Sequence, residues 1–157
     1  LSMTVIVKIQ SEAIDIAACM LEADGFTDDF GAQLSFTGYV RRDDYSDPIS
    51  HLFIDHYPVV TEKQITKIID IALQQWSVSN VIVVHRVEKV NVGEAIVWVM
   101  TQAKSRVDAY AANEFIMDYL KVSAPFWKKE CFENLEEKWV EAKVSDQAKF
   151  QTWCAAR

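Results

Sequence analysis

Amines are the first chemistry to stand out in this 157-residue chain. Lys121 and Lys128 bound the stretch Lys121-Val-Ser-Ala-Pro-Phe-Trp-Lys128. One closes a helical pattern; the other follows Pro125, which forces a turn into extended chain. Phe126 and Trp127 offer apolar surface that can desolvate an amine. Desolvation, or a second ammonium nearby, lowers a lysine pKa and makes it a usable base or nucleophile. The same residues have a plainer use: Lys121 can cap a helix dipole and Lys128 can snorkel over Trp127. Spacing alone does not bring two amines together.

The other cations gather in short segments: Arg41-Arg42, His85-Arg86, Lys104 with Arg106, and Lys128-Lys129. Such clusters at element ends either assemble an anion pocket or are solvated side chains. No metal site is expected, because His51 and His56 are five apart and fall on opposite strand faces. Cys19, Cys131 and Cys154 show no Cys-x-x-Cys spacing and read as free thiols of a reducing cytoplasm. There is no GxSxG, phosphate loop or GxGxxG.

These side chains need elements to position them. Val5–Ile9 reads as a strand, followed by a helix from Glu12 to about Leu21 capped by Ser11. Ala23–Phe30 reads as a loop, Gln33–Arg41 as an alternating strand, and Arg42–Pro48 as a mobile loop. Ile49–Tyr57 is a strand stopped by Pro58. Thr61 is expected to cap a helix with Ile65, Ile68, Ile69, Ala72, Leu73 and Trp76 on one face. Val81–Val90 and Glu94–Thr101 read as a hairpin about an Asn91–Gly93 turn. A helix from Ser105 to Leu120, strands Phe126–Phe132 and Lys138–Lys143, and a tail helix capped by Ser145 complete the order. Adjacent strands imply hairpins and the α+β class, mostly antiparallel.

Half of the residues are hydrophobic and 25% are charged, which excludes a disordered chain. The length favours one domain, residues 3–157, with Leu1-Ser2 read as an added remnant. No apolar run approaches the ~20 residues of a bilayer span, and no secretory signal pattern opens the chain. A net charge of −7 disfavours nucleic acid and anionic membrane as partners, but not a small anion held by a few converging cations.

Phe36-Thr-Gly-Tyr-Val-Arg41, His56-Tyr-Pro58 with Thr61-Glu-Lys63, Val84-His-Arg86, Gly93-Glu94, Phe115-Ile-Met-Asp-Tyr-Leu-Lys121, Ala124-Pro-Phe-Trp-Lys-Lys-Glu130 and Trp139-Val-Glu-Ala142 follow one another in an informative order. Together they resemble the large, catalytic subunit of molybdopterin synthase, over about Gly31 to Trp153. The resemblance implies a hammerhead-type α+β fold and a homodimer. It implies that each protomer docks a small ubiquitin-like subunit, making a heterotetramer. That subunit's C-terminal Gly-Gly thiocarboxylate would give two sulfurs to cyclic pyranopterin monophosphate, forming the dithiolene of molybdopterin. No cofactor or metal is implied.

By the same resemblance, Lys121 and Lys128 match the essential lysines, and Arg41, Arg106 and Lys143 the substrate-binding cations. Arg41 and Arg106 are then expected to converge on one anion site, with Lys143 joining from either protomer. Ser105 stands where the family has His and is expected to donate a hydrogen bond there. Asp55 replaces a usual Glu, and Glu88-Lys89 a Gly-containing stretch. The alternative reading is a non-catalytic dimeric module that binds a ubiquitin-like tail.

Overall fold

A computed structural model describes residues 3–26, 29–42, 47–141 and 144–155. Its elements are β1 (Thr4–Gln10), α1 (Ile16–Asp24), β2 (Ala32–Tyr39), β3 (Ile49–His56), α2 (Val60–Gln75) and β4 (Val78–Arg86). Then come β5 (Glu88–Asn91), β6 (Ala95–Ala103), α3 (Arg106–Val122), β7 (Phe126–Phe132), β8 (Glu137–Val140) and α4 (Val144–Ala155). The strands form two four-stranded sheets, ordered β1-β4-β6-β2 and β5-β3-β7-β8. The β1–β4 pair is parallel and the other pairs are antiparallel. The α+β expectation holds.

Strands β4 and β6 are buried almost throughout, because alternate residues face two cores, which explains the apolar runs at Val81–Val84 and Ala95–Met100. Val81, Val83, Val97 and Val99 face the main core with α2 and α3. Ile82, Val84, Trp98 and Met100 face a second, smaller core under α1. The expected stripe on α2 is the one that packs: Ile65, Ile68, Ile69 and Ala72 are buried, with Leu73 and Trp76 against them. Trp76, Phe115 and Trp153 then meet edge to face at centroid distances of 5.4–5.8 Å, which seats α4 on α3. Among the described residues no helix is long and apolar enough to cross a membrane.

Local starts and stops differ from the sequence reading in identifiable ways. Asp15, not Ser11, caps α1, its Oδ1 accepting from the Ala18 amide at 3.0 Å. Residues 23–24 still belong to that helix, and Gly25 closes it. Helix α2 begins one residue before Thr61, after Val59 at φ 71°, with no side-chain cap. Thr61 is instead fully buried and used elsewhere. Ser145 lies inside α4 rather than capping it. The loop expectation for residues 43–46 and the end of the last strand at 142–143 fall outside the described residues.

The largest difference is at residues 87–88. The expected Val81–Val90 strand is two strands in different sheets: β4 pairs with β1 and β6, whereas β5 pairs with β3. Glu88 makes the change of direction at φ 65°. Arg86 holds the crossing together. Its side chain is buried and ion-paired to Glu94, and Nη2 donates to the Ser11 and Lys89 carbonyls at 2.9 and 3.1 Å. Gly93, at φ 85°, turns the chain back into β6. The expected β4–β6 pairing thus forms, with β5 as an excursion between its arms.

This crossing predicts an acid sensitivity. Hydrogen bonds from Arg86 first, then from Asn91, hold the Glu94 carboxyl below the usual carboxylate range. A depressed carboxyl contributes stability above its ordinary pKa and loses it as pH falls through the depressed value. Glu94→Gln is therefore destabilising at about pH 7, and its gap to wild type narrows below about pH 4.5. Urea midpoints across that range check this; a gap independent of pH contradicts it.

Candidate functional site

A cavity of about 630 Å³ opens where the end of β2, the end of α3 and the start of β7 meet. Arg41, Lys121 and Lys128 all line it, joined by His85 of β4 and by Glu141 and Asp146. Phe36, Ile96, Met117, Leu120 and Phe126 supply apolar wall.

The two lysines are brought together by an abrupt reversal. Helix α3 closes when the Ser123 and Ala124 amides both donate to the Tyr119 carbonyl, at 2.9 and 3.1 Å. Pro125 stops it, and the Phe126 amide donates to the Ala124 carbonyl at 2.7 Å, so β7 starts at once. Thr61 pins the turn from behind. Its hydroxyl accepts from the Tyr57 amide at 3.0 Å and donates to the Pro125 carbonyl at 3.1 Å.

Strand alternation then sorts the side chains. Phe126 and Lys128 share the cavity face of β7, while Trp127 is half exposed on the other. Desolvation of Lys128 thus comes from Phe126 and its neighbours and not from Trp127, and Lys128 does not snorkel over that ring. The neighbouring Lys129 does the aromatic packing, 5.3 Å from the Phe53 ring centroid and 5.5 Å from that of Trp139. Arg41 reaches the cavity because β2 is irregular between Gly38 and Tyr39. Gly38 is required there: a Cβ would lie 2.9 Å from Val97 Cγ1.

Burial first, and the Lys121 ammonium second, push the Lys128 pKa down; Asp146 opposes them. Asp146 approaches Lys121, with Oδ2 3.9 Å from Nζ. Lys121 keeps 49% of its side chain exposed. The wall therefore offers one amine that gives up its proton readily and one, half in water, beside a carboxylate.

Other expected site residues lie elsewhere. Ser105 and Arg106 are at the opposite end of α3; Arg106 is fifteen residues from Lys121 and so about 22 Å away along the helix axis. Arg41 and Arg106 of one chain do not converge. The Ser105 hydroxyl is committed to the helix, accepting from the Asp108 amide at 3.2 Å and donating to Asp108 Oδ2 at 3.1 Å. Lys143 lies outside the described residues. Arg86 is a structural cation, and His85 is uncharged, its pKa pushed down to about 3, chiefly by burial. The His85-Arg86 pair is thus no anion site. Sequence reasoning missed His85 and Asp146 as cavity residues. The Val84-His-Arg86 motif marked the first, and nothing local marked the second.

The charges around Lys128 predict opposite shifts from two substitutions. Lys121→Met removes a repelling charge and raises the Lys128 pKa, whereas Asp146→Asn removes an attracting one and lowers it. Competitive acylation across pH, read by mass at the Lys128 peptide, measures both. Parallel shifts in the two variants contradict the arrangement.

Comparison with known proteins identifies the family. The family model of the MoaE protein matches residues 9–123. The molybdopterin synthase catalytic subunit of Haemophilus ducreyi is 42% identical over 123 residues, 78% of this chain and 81% of that protein. The molybdopterin biosynthesis MoaE protein of Burkholderia ambifaria superposes at a TM-score of 0.79 with 36% identity, covering 96% of this chain and 98% of that one. A Helicobacter pylori complex of subunits 1 and 2 of molybdopterin-converting factor gives 0.68 and 27%, over 88% and 90%. With the two lysines of its most specific motif on one cavity wall, the chain belongs to the MoaE family, that of the molybdopterin synthase catalytic subunit.

Proposed function

We propose that this cavity is the sulfur-transfer site of a molybdopterin synthase and that the chain acts in the cytoplasm. The observation that carries the reading is the meeting of Lys121, Lys128 and Arg41 on one partly apolar wall. The thiocarboxylate of a small-subunit tail is an anion, and so is the phosphate of the pyranopterin substrate. Both gain from cations placed where water is scarce. The small-subunit partner is supported by the Helicobacter pylori structure, which is a complex of two subunits. No metal or organic cofactor enters the reaction.

In each transfer the thiocarboxylate sulfur forms a bond to a substrate carbon as a carbon–oxygen bond at that carbon breaks and the oxygen leaves with a proton, and the acyl carbon–sulfur bond then breaks. The acyl group passes to water, leaving sulfur on the substrate and a carboxylate on the tail. Lys121 holds the acyl tail as an ammonium. Lys128, with its depressed pKa, faces the substrate and moves a proton. Each Lys→Ala substitution leaves folding and small-subunit docking intact and lowers dithiolene formation on the order of 10²–10⁴-fold, the range for a positioned acid or base. Near-wild-type dithiolene formation in both variants rules out the mechanism, and loss only through unfolding makes the lysines structural. Turnover by wild type also excludes the non-catalytic tail-binding alternative.

Arg106 is about 22 Å from its own Lys121, so its part in the site comes from a second copy in a two-fold dimer. Mixing inactive Arg106→Ala and Lys128→Ala chains then restores activity, because one site of each mixed dimer has both residues. An equimolar mixture that stays as inactive as its components contradicts this.

A further inference from the structure

His85 lines the cavity and has no task in the chemistry above. Its ring stacks on Phe126, with centroids 4.0 Å apart and planes 15° from parallel. Nδ1 lies 2.7 Å from the Arg86 carbonyl oxygen. A carbonyl only accepts, so Nδ1 carries the proton and Nε2 is a bare acceptor. Nε2 has no hydrogen-bond partner among the described residues. It is not sealed away either: among the described residues, the buried side-chain polar atoms without partners are on Glu62, Arg86 and Trp98. Burial above all, then Lys128 and His56, keeps the ring uncharged against the pull of the Arg86 carbonyl, so the acceptor persists at neutral pH.

His85 is an uncharged acceptor on a wall that also carries the cations Arg41, Lys121 and Lys128 and the carboxylates Glu141 and Asp146. A thiocarboxylate or a phosphate dianion has no proton to offer it. A ligand that satisfies both parts of the wall has an anionic end and an N–H or O–H end. We propose that His85 is a substrate-orienting residue: Nε2 accepts a hydrogen bond from an N–H or O–H of the heterocyclic end of a substrate whose anionic end the cavity cations hold. The inference rests on the cavity being the substrate site. A heterocycle bound the other way round leaves a buried acceptor unpaired, which discriminates strongly against it.

Titrations of the whole chain with 6-hydroxymethylpterin and with inorganic phosphate test this. His85→Asn keeps a donor near Nδ1 for the Arg86 carbonyl but loses the acceptor at Nε2. His85→Phe keeps the stack on Phe126 and is a second variant without the acceptor. His85→Gln restores an amide oxygen near Nε2. The expected result is pterin binding weakened on the order of 10-fold in His85→Asn and His85→Phe, phosphate binding within about 2-fold of wild type, and recovery in His85→Gln. Equal pterin binding by wild type and a folded acceptor-less variant overturns the proposal. So does an equal loss of phosphate and pterin binding, which marks a structural residue. Dithiolene formation by wild type with thiocarboxylated small subunit separates the two claims. Its absence refutes the transferase reading, whereas undiminished pterin binding without the acceptor refutes only the role of His85.

Discussion

Like charges on a partly desolvated wall are the constraint around which this structure is arranged. Lys121 and Lys128 line the same cavity as Arg41, and each lowers the cost of nothing but an arriving anion. Left to relax, such side chains would swing into water, where repulsion is screened. Lys128 does not, because it is held on the inward face of β7 next to Phe126. Asp146 offsets part of the repulsion from beside Lys121 without sealing it into a tight pair, since 3.9 Å is beyond a hydrogen bond. In a chain of net charge −7, the positive potential is local and deliberate in position.

Rigid supports keep that wall in place. Thr61 ties the Pro125 turn to the β3–α2 junction, so the two lysines move with the core and not with a loop. Strand β4 supports the site from below and the crossing from beside it. Its odd-numbered residues run from Val81 and Val83 in the main core to His85 against Phe126. Its even-numbered ones run from Ile82 and Val84 in the second core to Arg86, which binds Ser11 and Glu94. Adjacent residues of one motif thus do unrelated work because a strand alternates its faces. Burying both faces of β4 makes that alternation rigid.

Where periodicity was strong, the fold was legible in the chain. The α2 stripe and the Pro125 stop each follow from a local rule, and each is seen, whereas the β2 alternation breaks at Phe36, which is exposed beside a half-buried Thr37. Caps were less legible. Ser11 and Thr61 are good cap residues by type, yet Asp15 is the cap used and Thr61 is drawn away by Tyr57 and Pro125. Long-range partners decide between such candidates, and spacing does not contain them. The switch of sheets at Val87 was invisible for the same reason: the valines on either side of it suit a strand of either sheet. Within the site, the stretch that carries both lysines was legible from its residues and its proline, but their meeting on one wall comes from the reversal that Thr61 pins. Asp146 was not, since α4 reaches the cavity only through tertiary packing, and the distance from Arg41 to Arg106 depends on the direction of α3.

The account stands or falls on whether the depressed Lys128 amine and its cationic neighbours form one anion-responsive unit. The direct measurement is an NMR titration of the Lys128 side chain in the intact protein, with and without inorganic phosphate. A bound anion favours the charged form of every amine facing it. The account predicts that phosphate raises the Lys128 pKa back toward that of an ordinary lysine. A Lys128 titration that is the same with and without phosphate would contradict it.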